Sequence, residues 1–187
     1  MKKFTLIVIL ILISFYVNGQ VTVYRTYEDF KNKNGEIYDH YVGYSYFGKN
    51  VTIRLKNKNK KVRIRCKDMW GFVYKDALFR IDKRTNQPTR LISLGKIAYY
   101  ENGVAHLSML RDKSKEGSVT RGYFSYVSKD LSSKMVPMPK QLLSDARKKI
   151  KKFKKNHPEY KSLFECIGKR YSNYFMVRQC IDEFEKK

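Results

Sequence analysis

Acids, cysteines and histidines are the scarce residues in this chain, and their scarcity excludes several kinds of chemistry. Only 17 Asp and Glu stand against 40 Lys and Arg, a formal charge of +23. A charge that large repels itself and draws in anything polyanionic. The three histidines, His40, His106 and His157, share no metal-ligand spacing with each other or with cysteine. There is no HExxH and no CxxC, so a zinc site of recognised spacing is not expected, and neither is any cofactor. No glycine-rich phosphate loop occurs, and Gly43-Tyr44-Ser45 lacks the second glycine of a nucleophile elbow. Past the first segment no apolar run is long enough to span a bilayer.

That first segment has three parts. Lys2 and Lys3 precede an apolar stretch from Phe4 to about Val17, broken only by Thr5 and Ser14. Val17-Asn18-Gly19 then offers residues a signal peptidase accepts, so 1–19 reads as a cleavable secretion signal. A membrane anchor would need roughly 20 apolar residues, and this run is shorter and meets polar sequence at once. Residues 20–187 are then a single exported domain, placed in the periplasm, on the cell surface or outside the cell. Losing Lys2 and Lys3 takes the charge from +23 to +21.

The expected fold class is α+β. Thr26 precedes Tyr27-Glu28-Asp29-Phe30 with a hydroxyl cap and acids in the first turn, the pattern of a short helix. From Tyr38 to Ser128 the pattern has period two. Val51, Ile53 and Leu55 alternate with Thr52, Arg54 and Lys56. After the turn Asn57-Lys58-Asn59, Val62, Ile64 and Cys66 alternate with Arg63, Arg65 and Lys67, which predicts a hairpin with one apolar and one cationic face. Strands are also expected at Trp70–Tyr74, Ala77–Ile81, Arg90–Leu94 and Val119–Ser128. Asn102-Gly103 predicts a type I′ turn joining Ile97–Glu101 to a strand at Val104–Met109, with Ala98 opposite Leu107 and Tyr99 opposite His106. An antiparallel meander, curled into a barrel or packed as a sandwich, accommodates these strands.

Beyond Pro137 and Pro139 the period changes, and residues 140–186 are expected to be helical. Leu143, Ala146, Ile150 and Phe153 recur at helical spacing, His157-Pro158 breaks the run, and a second helix stops at Gly168. A third carries Val177, Cys180, Ile181 and Phe184 on one stripe. These helices are expected to cover the sheet.

An exported chain meets oxidising conditions, where neighbouring cysteines pair. A short turn makes the last two helices antiparallel neighbours, which favours a Cys166–Cys180 bridge. Against it, Cys180 lies roughly 10 Å along its helix from the turn. Cys66, on the apolar side of its strand, fits an unpaired buried thiol.

Two basic clusters remain. Arg54 to Lys67 holds eight Lys or Arg and no acid. Like charges opposed across strands destabilise a sheet, so a counter-anion would relieve the face formed by Arg54, Arg63, Arg65 and Lys67. These four are the candidate anion-binding residues. The second cluster, Arg147 to Lys155, has seven basic residues in nine and reads as the solvated side of a helix whose apolar stripe packs on the sheet.

Thr26-Tyr27-Glu28-Asp29-Phe30-Lys31-Asn32, Trp70-Gly71-Phe72-Val73-Tyr74-Lys75, Leu78-Phe79-Arg80 and Tyr99-Tyr100-Glu101-Asn102-Gly103 together resemble an uncharacterised family of short, signal-bearing exported proteins of Bacteroidota-type bacteria. Those motifs are turn and core patterns. The resemblance implies an envelope or secreted setting and carries over no site residue.

The functional expectation is a binding or structural module meeting an anionic polymer, an envelope surface or an acidic protein. No nucleic-acid reader motif is present, and an exported chain seldom needs one. Two alternatives differ in class. One is an enzyme whose cleft is lined by His106 or His40 and a carboxylate. The other is an immunity or inhibitor protein for a secreted toxin.

Overall fold

The computed structural model describes residues 19–47, 50–111, 124–138, 144–168 and 174–186. The signal reading at 1–18 and the first half of the strand read at 119–128 fall outside them. In chain order the strands are β1 (Val21–Tyr24), β2 (Glu36–Tyr38), β3 (His40–Phe47), β4 (Asn50–Asn57), β5 (Lys60–Arg65), β6 (Gly71–Tyr74), β7 (Ala77–Asp82), β8 (Gln87–Leu94), β9 (Ala98–Asn102), β10 (Ser125–Ser128) and β11 (Val136–Pro137). The helices are α1 (Tyr27–Lys31), α2 (Gly103–Arg111), α3 (Ser144–Asn156), α4 (Lys161–Gly168) and α5 (Tyr174–Glu185).

The fold is α+β. One antiparallel sheet has eight strands in the order β11-β10-β9-β8-β7-β6-β1-β2, and a second has three in the order β3-β4-β5. The eight-stranded order has two ends, β11 and β2, so the meander is open and not a closed barrel. The chain divides into two compact units, Met1–Pro88 and Thr89–Lys187.

In the first unit, local chemistry sets each turn. Thr26 accepts a hydrogen bond from the Asp29 amide, and Asp29 accepts one from the Thr26 amide, a reciprocal capping box. The helix it starts lays Phe30 and Tyr27 against Trp70, with ring centroids 4.8 and 5.5 Å apart. The Arg80 guanidinium sits 5.2 Å from the same indole. Thr26→Ala should therefore cost about 1 kcal/mol, read as a lower urea midpoint with an unchanged slope. An unchanged midpoint would mean the cap does nothing for this helix.

Lys58-Asn59 and Lys75-Asp76 all have positive φ, the backbone that a two-residue hairpin turn demands. They join β4 to β5 and β6 to β7. Phe72 and Phe79 stand directly opposite each other on β6 and β7, stacked at 5.0 Å.

In the second unit, β9 is buried on both faces. Tyr99, with Ile97 and with Val127 of β10, meets an apolar core from the C-terminal helices: Ile150, Phe153, Leu163, Ile167, Val177 and Ile181. Ala98 and Tyr100 point the other way, onto Tyr126 and Met135. Of the stripe read on α3, Ile150 and Phe153 are buried as expected, and Leu143 lies outside the described residues. His157-Pro158 ends α3, and a 3₁₀ turn, Pro158–Tyr160, leads into α4. Cys166 and Cys180 are bridged between α4 and α5, their Cα atoms 5.8 Å apart, and Cys66 is free and buried. The distance of Cys180 along its helix does not prevent the bridge. The Glu185 carboxylate accepts from the amides of Lys96 and Ile97, and the Tyr160 hydroxyl donates to the Lys96 carbonyl. A side chain at Gly95 would run into that carboxylate.

One expectation is overturned here. Asn102-Gly103 does not close a hairpin, and Val104–Met109 is not a strand. The Asn102 side chain accepts from the amides of Val104 and Ala105, at 3.1 and 3.4 Å, and starts α2. Asparagine is as good a helix cap as it is a turn residue. The edge of β9 is paired instead with β10, from Ser125↔Glu101 to Ser128↔Ala98. Tyr99 therefore faces Val127 and not His106, and Ala98 faces Ser128 and not Leu107.

Candidate functional site

The cationic face of the three-stranded sheet follows from register. Arg54 is opposite Arg63, Lys56 opposite Lys61 and Thr52 opposite Arg65, while Ile53–Ile64 and Leu55–Val62 form the apolar side. On the neighbouring strand, His40 stands beside Lys56, Gly43 beside Arg54 and Ser45 beside Thr52. Residues directly opposite share a face, so five cations and His40 lie on one surface. Gly43 puts no side chain beside Arg54. Arg54, Arg63 and Arg65 are exposed.

Two of the four candidates need correction in part. The strand ends at Arg65, and Cys66–Asp68 is a 3₁₀ turn, so Lys67 leaves the face. Its backbone carbonyl accepts from Lys83 Nζ at 3.1 Å, and Met69 accepts from the same ammonium at 2.7 Å. Burial lowers the Lys83 pKa. Arg65 remains on the face but is engaged by Asp68 at 2.7 Å. Lys61 joins the face at its other end, opposite Lys56. Its position was hidden because the turn holds two residues, Lys58 and Asn59, and not three; one residue fewer in the loop changes which lysine meets Lys56. Cys66 turns into the core at the same point, where burial pushes its thiol up to about 12. A thiol that stays protonated is a poor nucleophile.

The second unit contains a buried ionic network that the sequence did not reveal. Glu101 follows Tyr99 by two residues, so it points to the helix side of β9. There Arg178 of α5 grips its two oxygens at 2.8 and 2.6 Å. His106, one turn into α2, places Nε2 3.0 Å from Glu101 Oε2, and Arg90, opposite Glu101 on β8, reaches His106 Nδ1 at 3.1 Å. Glu101 is fully buried and His106 nearly so. Burial pushes the Glu101 carboxyl up, but the hydrogen bonds from Arg178 and His106 outweigh it and hold the pKa below the ordinary value of 4.5. Beside it, the Tyr99 hydroxyl is held well above the usual tyrosine range by burial and then by the Glu101 charge.

This geometry decides what His106 can do. Arginine only donates, so Nδ1 must accept from Arg90, and the ring proton sits on Nε2, donated to Glu101. Both nitrogens are engaged. A general base needs a free lone pair within reach of substrate, and His106 has none. The cluster is a structural tie between β9, β8, α2 and α5. His40 lies exposed at the end of β3, and the Asp39 carboxylate next to it accepts from the Lys58 amide at 2.7 Å. Among the described residues, no group of three or more His, Cys, Asp or Glu gathers as a metal site would require, and no helix is long and apolar enough to cross a membrane.

In comparisons with family models, with curated proteins and with solved structures, none matches this chain.

Proposed function

We propose that this protein is an exported binding module that engages an anionic partner at the envelope through the cationic face of β4 and β5. The observation that carries this reading is the direct opposition of Arg54 to Arg63 and of Lys56 to Lys61. Like charges set opposite each other destabilise the free protein, and a bound polyanion removes that repulsion. The Cys166–Cys180 bridge fits an oxidising compartment. The signal-like N-terminus and the resemblance to exported Bacteroidota-type proteins point to the same setting. The enzyme alternative loses its strongest residue, because both nitrogens of His106 are occupied.

Dextran sulfate serves as the probe. Its affinity should fall linearly with salt on a double-logarithmic plot, as counterion release requires. At roughly 1 kcal/mol per cation near an anionic surface, changing Arg54, Lys61 and Arg63 together to Gln should weaken binding on the order of a hundredfold. The same change at Lys31, Lys33 and Lys186, which are exposed elsewhere, should weaken it far less. Equal losses from both triple variants would reduce the effect to net charge and remove the face from the proposal.

A further inference from the structure

A second basic surface, in the Thr89–Lys187 unit, is concave and has an apolar floor. The β10–β11 connection and one flank of α3 enclose a pocket of about 450 Å³, within the range of small-ligand sites. Lys149 and Lys152 line it from α3, three residues apart and therefore on one flank of the helix. Lys129 and Lys134 line it from the connection, and Phe153 and Met135 supply the floor.

We propose that this pocket binds a phosphate monoester carried on an apolar body. Among the described residues its lining contains no carboxylate. Beside Lys129 on the connection, Asp130 is committed to its own turn. Asp130 accepts from the amides of Ser132 and Ser133 and from the Ser132 hydroxyl, at 2.7 to 2.9 Å, and these bonds pull its pKa down to about 2. The Glu159 carboxylate meets Nδ1 of His157, itself a lining residue of the pocket, at 3.0 Å. The Asp130 turn also fixes the loop that carries Lys129 and Lys134, since the Ser128 hydroxyl donates to the Asp130 carbonyl at 2.7 Å.

The number of cations favours a multiply charged anion. Arginine's planar fork pairs with carboxylate and phosphate alike, whereas several lysines, acting as point charges, can converge on one compact, multiply charged head such as phosphate. This lining has four lysines and no arginine. The Phe153 ring and Met135 then favour an anion with hydrocarbon attached over a bare ion.

Calorimetric titration of the intact protein with octyl phosphate, inorganic phosphate and octyl glucoside tests the proposal. Octyl phosphate should bind at least about tenfold more tightly than either of the others, a difference of about 1.4 kcal/mol. Lys134→Glu with Lys152→Glu, both exposed positions, should reduce that affinity about tenfold or more with an unchanged circular dichroism spectrum. Arg54→Gln with Arg63→Gln should leave it unchanged, which separates this pocket from the face on the other unit. Equal binding of inorganic phosphate or octyl glucoside overturns the proposal. So does an equal loss from the hairpin variants, or capture of phosphatidate vesicles by a protein that does not bind soluble octyl phosphate.

Discussion

Arg178→Met should destabilise the fold by about 3–5 kcal/mol, the scale for removing one partner of a buried ion pair. Arg178 is about a third exposed, but the carboxylate it grips is not exposed at all. Without it, the fully buried Glu101 carboxylate keeps the hydrogen bond from His106 but loses both of its arginine contacts. Glu101→Gln combined with Arg178→Met should recover much of the loss, because replacing both partners leaves no stranded charge. Urea unfolding of the two single variants and the double variant gives the coupling. If the single effects simply add, the pair is not a unit and the tie between β9 and α5 has been misread.

The pH dependence has a definite sign. In the native protein the Glu101 pKa is lowered from 4.5, so its stabilising contribution is complete above the unfolded value and is lost as pH falls through the folded one. In Arg178→Met the burial of Glu101 is left without its main opponent, and the folded pKa should rise. The variant then gains a proton on folding, so its deficit relative to the native protein should shrink on acidification below the raised pKa. Unfolding free energies measured from neutral pH down to the carboxylate range check this. A deficit that stays constant across that range would show that Glu101 does not titrate as described.

Removing the bridge should produce the next largest loss. Cys166 and Cys180 are 14 positions apart, and closing a loop of that size contributes about 3 kcal/mol in the chain-entropy model. Cys166→Ser with Cys180→Ser should lower stability by about that amount, and dithiothreitol should do the same to the native protein. Digestion without reductant should yield a linked peptide containing both cysteines. Cys66, buried and held protonated, should take up an alkylating reagent only after unfolding. Rapid alkylation of Cys66 in the folded protein would contradict its burial.

The legible parts of this protein were those in which local chemistry and the packed result agree. Period-two alternation placed β4 and β5, because one face of that hairpin is apolar and a slip of one residue would expose it, and the apolar runs on either side of Lys75-Asp76 placed β6 and β7. Thr26 with Asp29 specified α1, and His157-Pro158 specified the end of α3, because capping and proline act within a few residues. The cysteine pairing was legible for a similar reason: a short connection and one apolar stripe brought two helices together.

Tertiary structure decided what local sequence left degenerate. Asn102-Gly103 satisfies the rules for a hairpin turn and for a helix start, and the choice fell to which segment paired with β9. Once β10 took that edge, the stretch after Gly103 had no strand to join and coiled into α2, with His106 folded back toward Glu101. The Glu101–Arg178 pair spans 77 residues, and no periodicity reports a contact between a strand and a helix so far apart. The pocket at Lys129 and Lys149 arises in the same way, from a loop and a helix flank that each read alone as solvated charge. Sequence by itself determined the strongly basic balance, the alternating β4–β5 hairpin, the helical C-terminal stretch and the cysteines able to pair, because composition, turn geometry and short-range spacing act locally. Which charges were buried, which were opposed and which surround a cavity was settled only when distant segments packed, because desolvation and Coulomb energy depend on distance in space and not on separation along the chain.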